Sequence, residues 1–170
     1  MILPTVRDRR FITLRRGGVL SDDDHRLLAI WAAQCAEHVL HYFQEARPDD
    51  DRPRRAIELA RSWVKGETKM MEAHTAAGVS NAAAREVGGP ARFAALSAGQ
   101  AVAVAHVAAH ELGAAAYAIR AVMAAVPKDE MEEARLREGR WQRALLPDAI
   151  RELVLDDQRL RNDICWKVFE

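Results

Sequence analysis

From Ser21 onward the apolar residues recur every three or four positions, the period of a helix face, and no segment there settles into the strict alternation of a half-buried strand. Leu28, Trp31, Cys35, Val39 and Tyr42 fall on one stripe, while Gln34, Glu37, His41 and Glu45 fall on a polar one. Ser21 predicts an N-cap, and Asp22, Asp23 and Asp24 fill a first turn where carboxylates favour the helix dipole. Pro48 stops this helix, because the residue before a proline avoids the α region.

Similar punctuation divides the rest. Pro53 suits the first turn of a second helix, which buries Ile57, Ala60 and Val64, flanked by Trp63, pairs Arg54 with Glu58 and ends at Gly66. Thr68 is the expected cap of a third, Ala-rich helix running to about Val87. The stretch from Ala91 to Ala125 stays helical and Ala-rich, but one uncapped helix of that length is unusual, so a break is expected near His106 to His110. Gly99 and Gly113 mark close approach of another backbone, or the break itself. After Pro127 come a charged helix from Glu130 to Arg140, a helix opened by Pro147-Asp148, and a last helix carrying Leu160, Ile164, Cys165, Trp166 and Phe169. The expected fold is all-α: a single-domain bundle or orthogonal array of about seven or eight helices over residues 21–170. Residues 1–20, with Phe11-Ile12-Thr13-Leu14 ahead of Gly17-Gly18, are read as an N-terminal arm or short hairpin. Trp31, Cys35, Trp63 and Trp166 are expected to be mostly buried, and Trp141 to be a further core anchor.

Charge narrows the partners. Lys plus Arg and Asp plus Glu number 25 each, for a formal net charge of +0, which argues against nucleic acid because phosphate binding needs a basic excess. The uncharged stretch from Phe93 to His110 is mostly Ala and carries Ser97, Gln100 and two histidines, so it reads as a buried helix and no membrane span is expected. The Arg-rich start lacks the apolar run of a signal peptide, and the two cysteines read as buried free thiols; both point to the cytoplasm.

Chemical motifs are sparse. GxxxxGK[ST], GxGxxG, CxxC and GxSxG are all missing. On a continuous helix, His106 and His110 would share a face at i,i+4, a spacing that suits a metal. However, Glu111 follows the pair instead of lying between its members, and no third ligand is evident, so no metal, cofactor or catalytic residue is assigned. His38 and His41 beside Cys35 read as surface and core residues. The run from Asp156 to Asp163 reads as a solvated helix face that pairs with itself, Asp157 with Arg161 and Arg159 with Asp163.

Several stretches together resemble a known family. They are Asp24-His25-Arg26-Leu27-Leu28, the run from Trp31 to Leu40, Arg52-Pro53-Arg54 with Ala56-Ile57-Glu58, Ala103-Val104-Ala105-His106, and His110-Glu111-Leu112-Gly113 through Ala118. They resemble a bacterial family of immunity proteins, the immunity-protein-five-like domain, over most of residues 24–125. The resemblance implies an all-helical cytoplasmic protein that inhibits a toxin, encoded nearby, by binding it without catalysis. It supplies no catalytic residue. The acidic segments Asp22, Asp23, Asp24 and Asp49, Asp50, Asp51 are the expected partner-facing rim. The competing readings are a small metal-dependent hydrolase using His106 and His110, and a self-associating structural helical domain.

Overall fold

A computed structural model describes residues 2–170. Seven α-helices follow one another: α1 Asp22–Ala46, α2 Arg52–Val64, α3 Met70–Arg85, α4 Gly89–Ala103, α5 Glu111–Ala124, α6 Met131–Ala144 and α7 Asp148–Arg161. Short 3₁₀ turns fill the junctions, and among the described residues there is no strand, only an isolated bridge between Thr13 and Leu20. The all-α expectation holds. Among the described residues no helix is long and apolar enough to cross a membrane.

Local chemistry explains several helix ends. Ser21 Oγ accepts from the Asp24 amide at 3.0 Å, the capping bond that its position predicts. Gly66 takes a left-handed φ of 78° just past α2. Thr68, in contrast, does not cap α3. Its hydroxyl donates to Ser62 Oγ at 2.6 Å, and Lys69 occupies the capping position without a side-chain bond. Residues 2–20 wind through 3₁₀ turns at Arg9–Phe11 and Leu14–Arg16. At Gly18 a Cβ would fall 1.9 Å from the Ile12 carbonyl oxygen, so the chain folds back there only because the side chain is absent.

Helix α4 is the spine, packed against α1, α2, α3 and α5. Its inward positions are Ala, Gly and Ser apart from Val102, and these small side chains let neighbouring axes come close. The hydroxyls buried by that approach are satisfied across the seams: Ser80 donates to the Ala95 carbonyl and Ser97 to that of Ala114, each at 2.8 Å. Trp31 is fully buried and donates to the Gln142 carbonyl at 2.8 Å, tying α1 to α6. Both cysteines are free and buried.

Three expectations fail. Trp166 is 43% exposed, and Leu160 and Ile164 are exposed with it, because the chain leaves α7 at Arg161 and turns through left-handed backbone at Trp166 and Lys167. Only Cys165, Val168 and Phe169 of that segment enter the core. Trp141 is half-buried and lines a hollow instead of filling the interior, whereas Trp63 packs against the core as expected while one side lines a cleft. The acidic run of α7 is not a solvated face, since Asp157, Gln158, Arg161 and Asn162 are buried. Asp157 does pair with Arg161, but Arg159 turns to Asp156 and Asp163 to Lys167.

Candidate functional site

Two concave surfaces each bring together aromatic and titratable side chains. The first lies between α1 and α6. On α6, Glu138, Trp141 and Gln142 share a face through i,i+3 and i,i+4 spacing. Glu138 is buried to 3% exposure, accepting from Gln142 Nε2 at 2.9 Å and from His38 Nδ1 at 2.9 Å. That bond orients the imidazole, which stacks on the Trp141 indole with centroids 3.7 Å apart. The result is a rigid aromatic plate held from beneath by a carboxylate. A hollow of about 350 Å³ on one side is bordered by His41, Tyr42 and Arg137. Another of about 290 Å³, bordered by Gln34, Glu37 and Leu145, lies on the other side.

The plate has the carboxylate and imidazole of a catalytic dyad but no activated nucleophile. Neither hollow is lined by Ser, Thr or Cys. Cys35 is fully buried, and burial pushes its thiol well above the usual range, so it is not a thiolate. Burial likewise raises Tyr42.

The second surface is a cleft of about 310 Å³ where the N-terminal turns meet the start of α1, the end of α2 and the α4–α5 junction. His106 sits there. The helix does break between Ala103 and Glu111, so His106 and His110 do not share the face of one continuous helix. His106 Nδ1 lies 3.4 Å from Met70 Sδ, and its ring packs edge-on against His74. His110 instead donates from Nδ1 to Gln100 Oε1 at 2.7 Å. Burial, reinforced by His106, Arg161 and Arg7, pushes His110 down to about 4. Among the described residues no three His, Cys, Asp or Glu side chains converge as metal ligands would.

The acidic segments are far apart and largely occupied. They flank the two ends of α1, whose 25 residues span about 37 Å. Asp22 pairs with Arg15, Asp23 with Arg26, Asp50 with Arg52, and Asp51 with Arg54 and Arg55. Asp24 accepts from the Ser21 hydroxyl. Sequence reasoning missed Glu138 and its union with His38 and Trp141. The only signal was Glu138, Trp141 and Gln142 at helical spacing inside a segment that otherwise reads as charged.

Comparison with known proteins adds one match. The family model described as Imm-5 like putative immunity protein covers residues 18–149. No curated protein and no solved structure matches the chain. The matched span includes α1 to α6, the His38, Glu138 and Trp141 of the first surface, and His25, Trp63 and His106 of the second but not its N-terminal arginines, and on that match the chain belongs to the Imm-5 like putative immunity protein family.

Proposed function

We propose that this protein is a cytoplasmic immunity protein that neutralises a toxin by occupying the toxin's surface and performs no reaction of its own, with the α1/α6 face as its contact. The family match over residues 18–149 carries the reading. The plate of His38 and Trp141 supports the choice of face. Binding hot spots are enriched in Trp, Tyr and Arg, and Trp141, Tyr42 and Arg137 border one hollow here. The buried Glu138 bond and the stack also fix the plate before any partner arrives, which lowers the ordering cost of association. The acidic segments at the two ends of α1 remain the proposed outer rim. Their own arginines already neutralise most of them, so they would steer a basic toxin only weakly.

The test is co-expression with the toxin domain encoded beside this gene. Growth rescue is expected together with a stable complex on gel filtration. Trp141→Ala, checked for an unchanged helical circular-dichroism spectrum, is expected to weaken the complex by about 2 kcal/mol or more, roughly thirtyfold in Kd. Rescue without a complex, or turnover of the toxin's substrate by the purified protein, would defeat the binding reading. Full affinity in Trp141→Ala would move the contact to another face.

A further inference from the structure

The cleft beside His106 stands apart from the α1/α6 face. His25 at its edge and His38 in the plate are thirteen residues apart on α1, about 20 Å of helix. Its composition is also different. Phe11, Trp63, Met70 and Val107 supply an apolar floor, and Arg7, Arg15 and Arg16 stand around it. Arg15 is engaged by Asp22 at 3.2 Å. Arg7 and Arg16 have no carboxylate within ion-pair distance among the described residues, and Arg16 only grazes the His106 carbonyl at 3.5 Å. Arg10, Arg52, Arg61 and Arg161, by contrast, each meet a carboxylate, although among the described residues Arg85, Arg92, Arg137 and Arg140 on other surfaces do not.

We infer that this cleft is a binding site for a small organic oxyanion, a phosphate or carboxylate carried on a flat ring. Its volume of about 310 Å³ lies at the lower end of small-ligand pockets, which run from about 300 to 1,000 Å³. Two unpartnered guanidiniums match one oxyanion, since the planar fork of Arg fits phosphate and carboxylate in two-point contact. The field agrees with this. His106 is held below its usual range chiefly by burial, and neighbouring His74 and the cationic Arg16 and Arg7 lower it further. An oxyanion would offset that concentration of positive charge. A bare ion would leave the aromatic floor uncovered, whereas a ring would lie against Trp63 and Phe11. His25 closes the inner wall: it donates from Nε2 to the Val104 carbonyl at 2.6 Å and packs on Trp63 with ring centroids 4.9 Å apart. The site therefore has a rigid apolar back and a cationic mouth. It is independent of the toxin-binding reading.

The experiment is calorimetric titration of the full chain with phenyl phosphate, benzoate, orthophosphate and benzyl alcohol. We expect one equivalent of phenyl phosphate or benzoate to bind, the tighter of the two naming the oxyanion. Orthophosphate should bind about tenfold more weakly, and benzyl alcohol should not bind. Arg7→Gln and Arg16→Gln should each weaken the ring-bearing anion about tenfold, the cost of a lost charge-assisted hydrogen bond. Both side chains are exposed, so the fold should persist, as an unchanged melting curve would show. Arg9→Gln, whose guanidinium donates to the Gly17 carbonyl and does not line the cleft, should bind normally. The His106 imidazole resonances should shift only with the ring-bearing anions. No heat and no His106 shift with either at millimolar concentration would overturn the inference. So would equal affinity in the Arg7→Gln/Arg16→Gln double variant, or orthophosphate binding as tightly as the ring-bearing anions.

Discussion

Arg161 is the residue on which the interior depends most. The residue is 5% exposed, and its guanidinium donates from Nε to Asp157 at 2.7 Å and from Nη1 to the Ala109 carbonyl at 2.9 Å, and faces Glu111 at 3.3 Å. One cation against two buried carboxylates leaves a surplus negative charge. The fully buried Glu111 resolves it: burial holds its carboxyl well above the ordinary 4.5, although Arg161 pulls the other way. Arg161→Met would strand the buried Asp157 carboxylate and should cost about 3–5 kcal/mol in urea unfolding at pH 7. Glu111→Gln should behave differently. Above pH 4.5 the folded protein holds a proton at Glu111 that the unfolded chain releases, so wild-type stability falls as pH rises toward the folded pKa. The glutamine variant lacks that titration. Between pH 5 and pH 8 its urea stability should improve relative to wild type, by up to about 1.4 kcal/mol per pH unit. A gap independent of pH would mean that Glu111 is ionised in the fold throughout.

At the scale of helices, two glycines that look alike in sequence should respond with opposite signs. Gly99 lies inside α4, where an added Cβ would fall 2.6 Å from Asn81 Oδ1 and 3.3 Å from the Ala77 carbonyl oxygen. Gly99→Val should destabilise by about 1–3 kcal/mol, as overpacking does. Gly78 lies in the exposed middle of α3 with nothing within 4 Å of its would-be Cβ. Gly78→Ala should stabilise by about 0.5–1 kcal/mol, the helix preference of Ala over Gly. Urea midpoints of the two variants check both signs. The same contrast shows what the sequence made legible. Helix limits at Ser21, Pro48, Gly66 and Pro127 are set by local chemistry and can be read directly, as can the break before Glu111. Burial of polar residues is not local. The i,i+4 rule found the Asp157–Arg161 pair but is blind to α5 closing over it, so an interior network reads as a solvated face. Trp166 misleads for a related reason: its apolar spacing continues the helix, but the backbone does not. The His38–Trp141 plate joins residues about a hundred positions apart, so the helical spacing of Glu138, Trp141 and Gln142 shows only its α6 half.

For the whole molecule, the question is whether the family-matched span could stand alone. Residues 18–149 contain six complete helices, yet the core is closed by segments from both sides of that span. Ile2 and Phe11 are buried from the N-terminal turns, and Ile150, Val154, Val168 and Phe169 from α7 and the residues after it. The two outer segments are also joined to each other. Arg10 bonds Asp156 at 2.7 Å, and Arg161 reaches the Ile2 carbonyl at 3.4 Å. Burying one such side chain contributes about 1.5–3 kcal/mol. Losing all of them would exceed most of the roughly 5–15 kcal/mol of net stability that a domain possesses. The loss would fall on Glu111 as well, since removal of α7 takes away both Arg161 and Asp157 and opens the α5 start to water. A fragment of residues 18–149 should therefore keep helical circular dichroism but lose the cooperative thermal transition shown by the full chain, and bind a dye that reports exposed apolar surface. A sharp melting transition in the fragment at the full chain's midpoint would show that the outer segments only decorate the array.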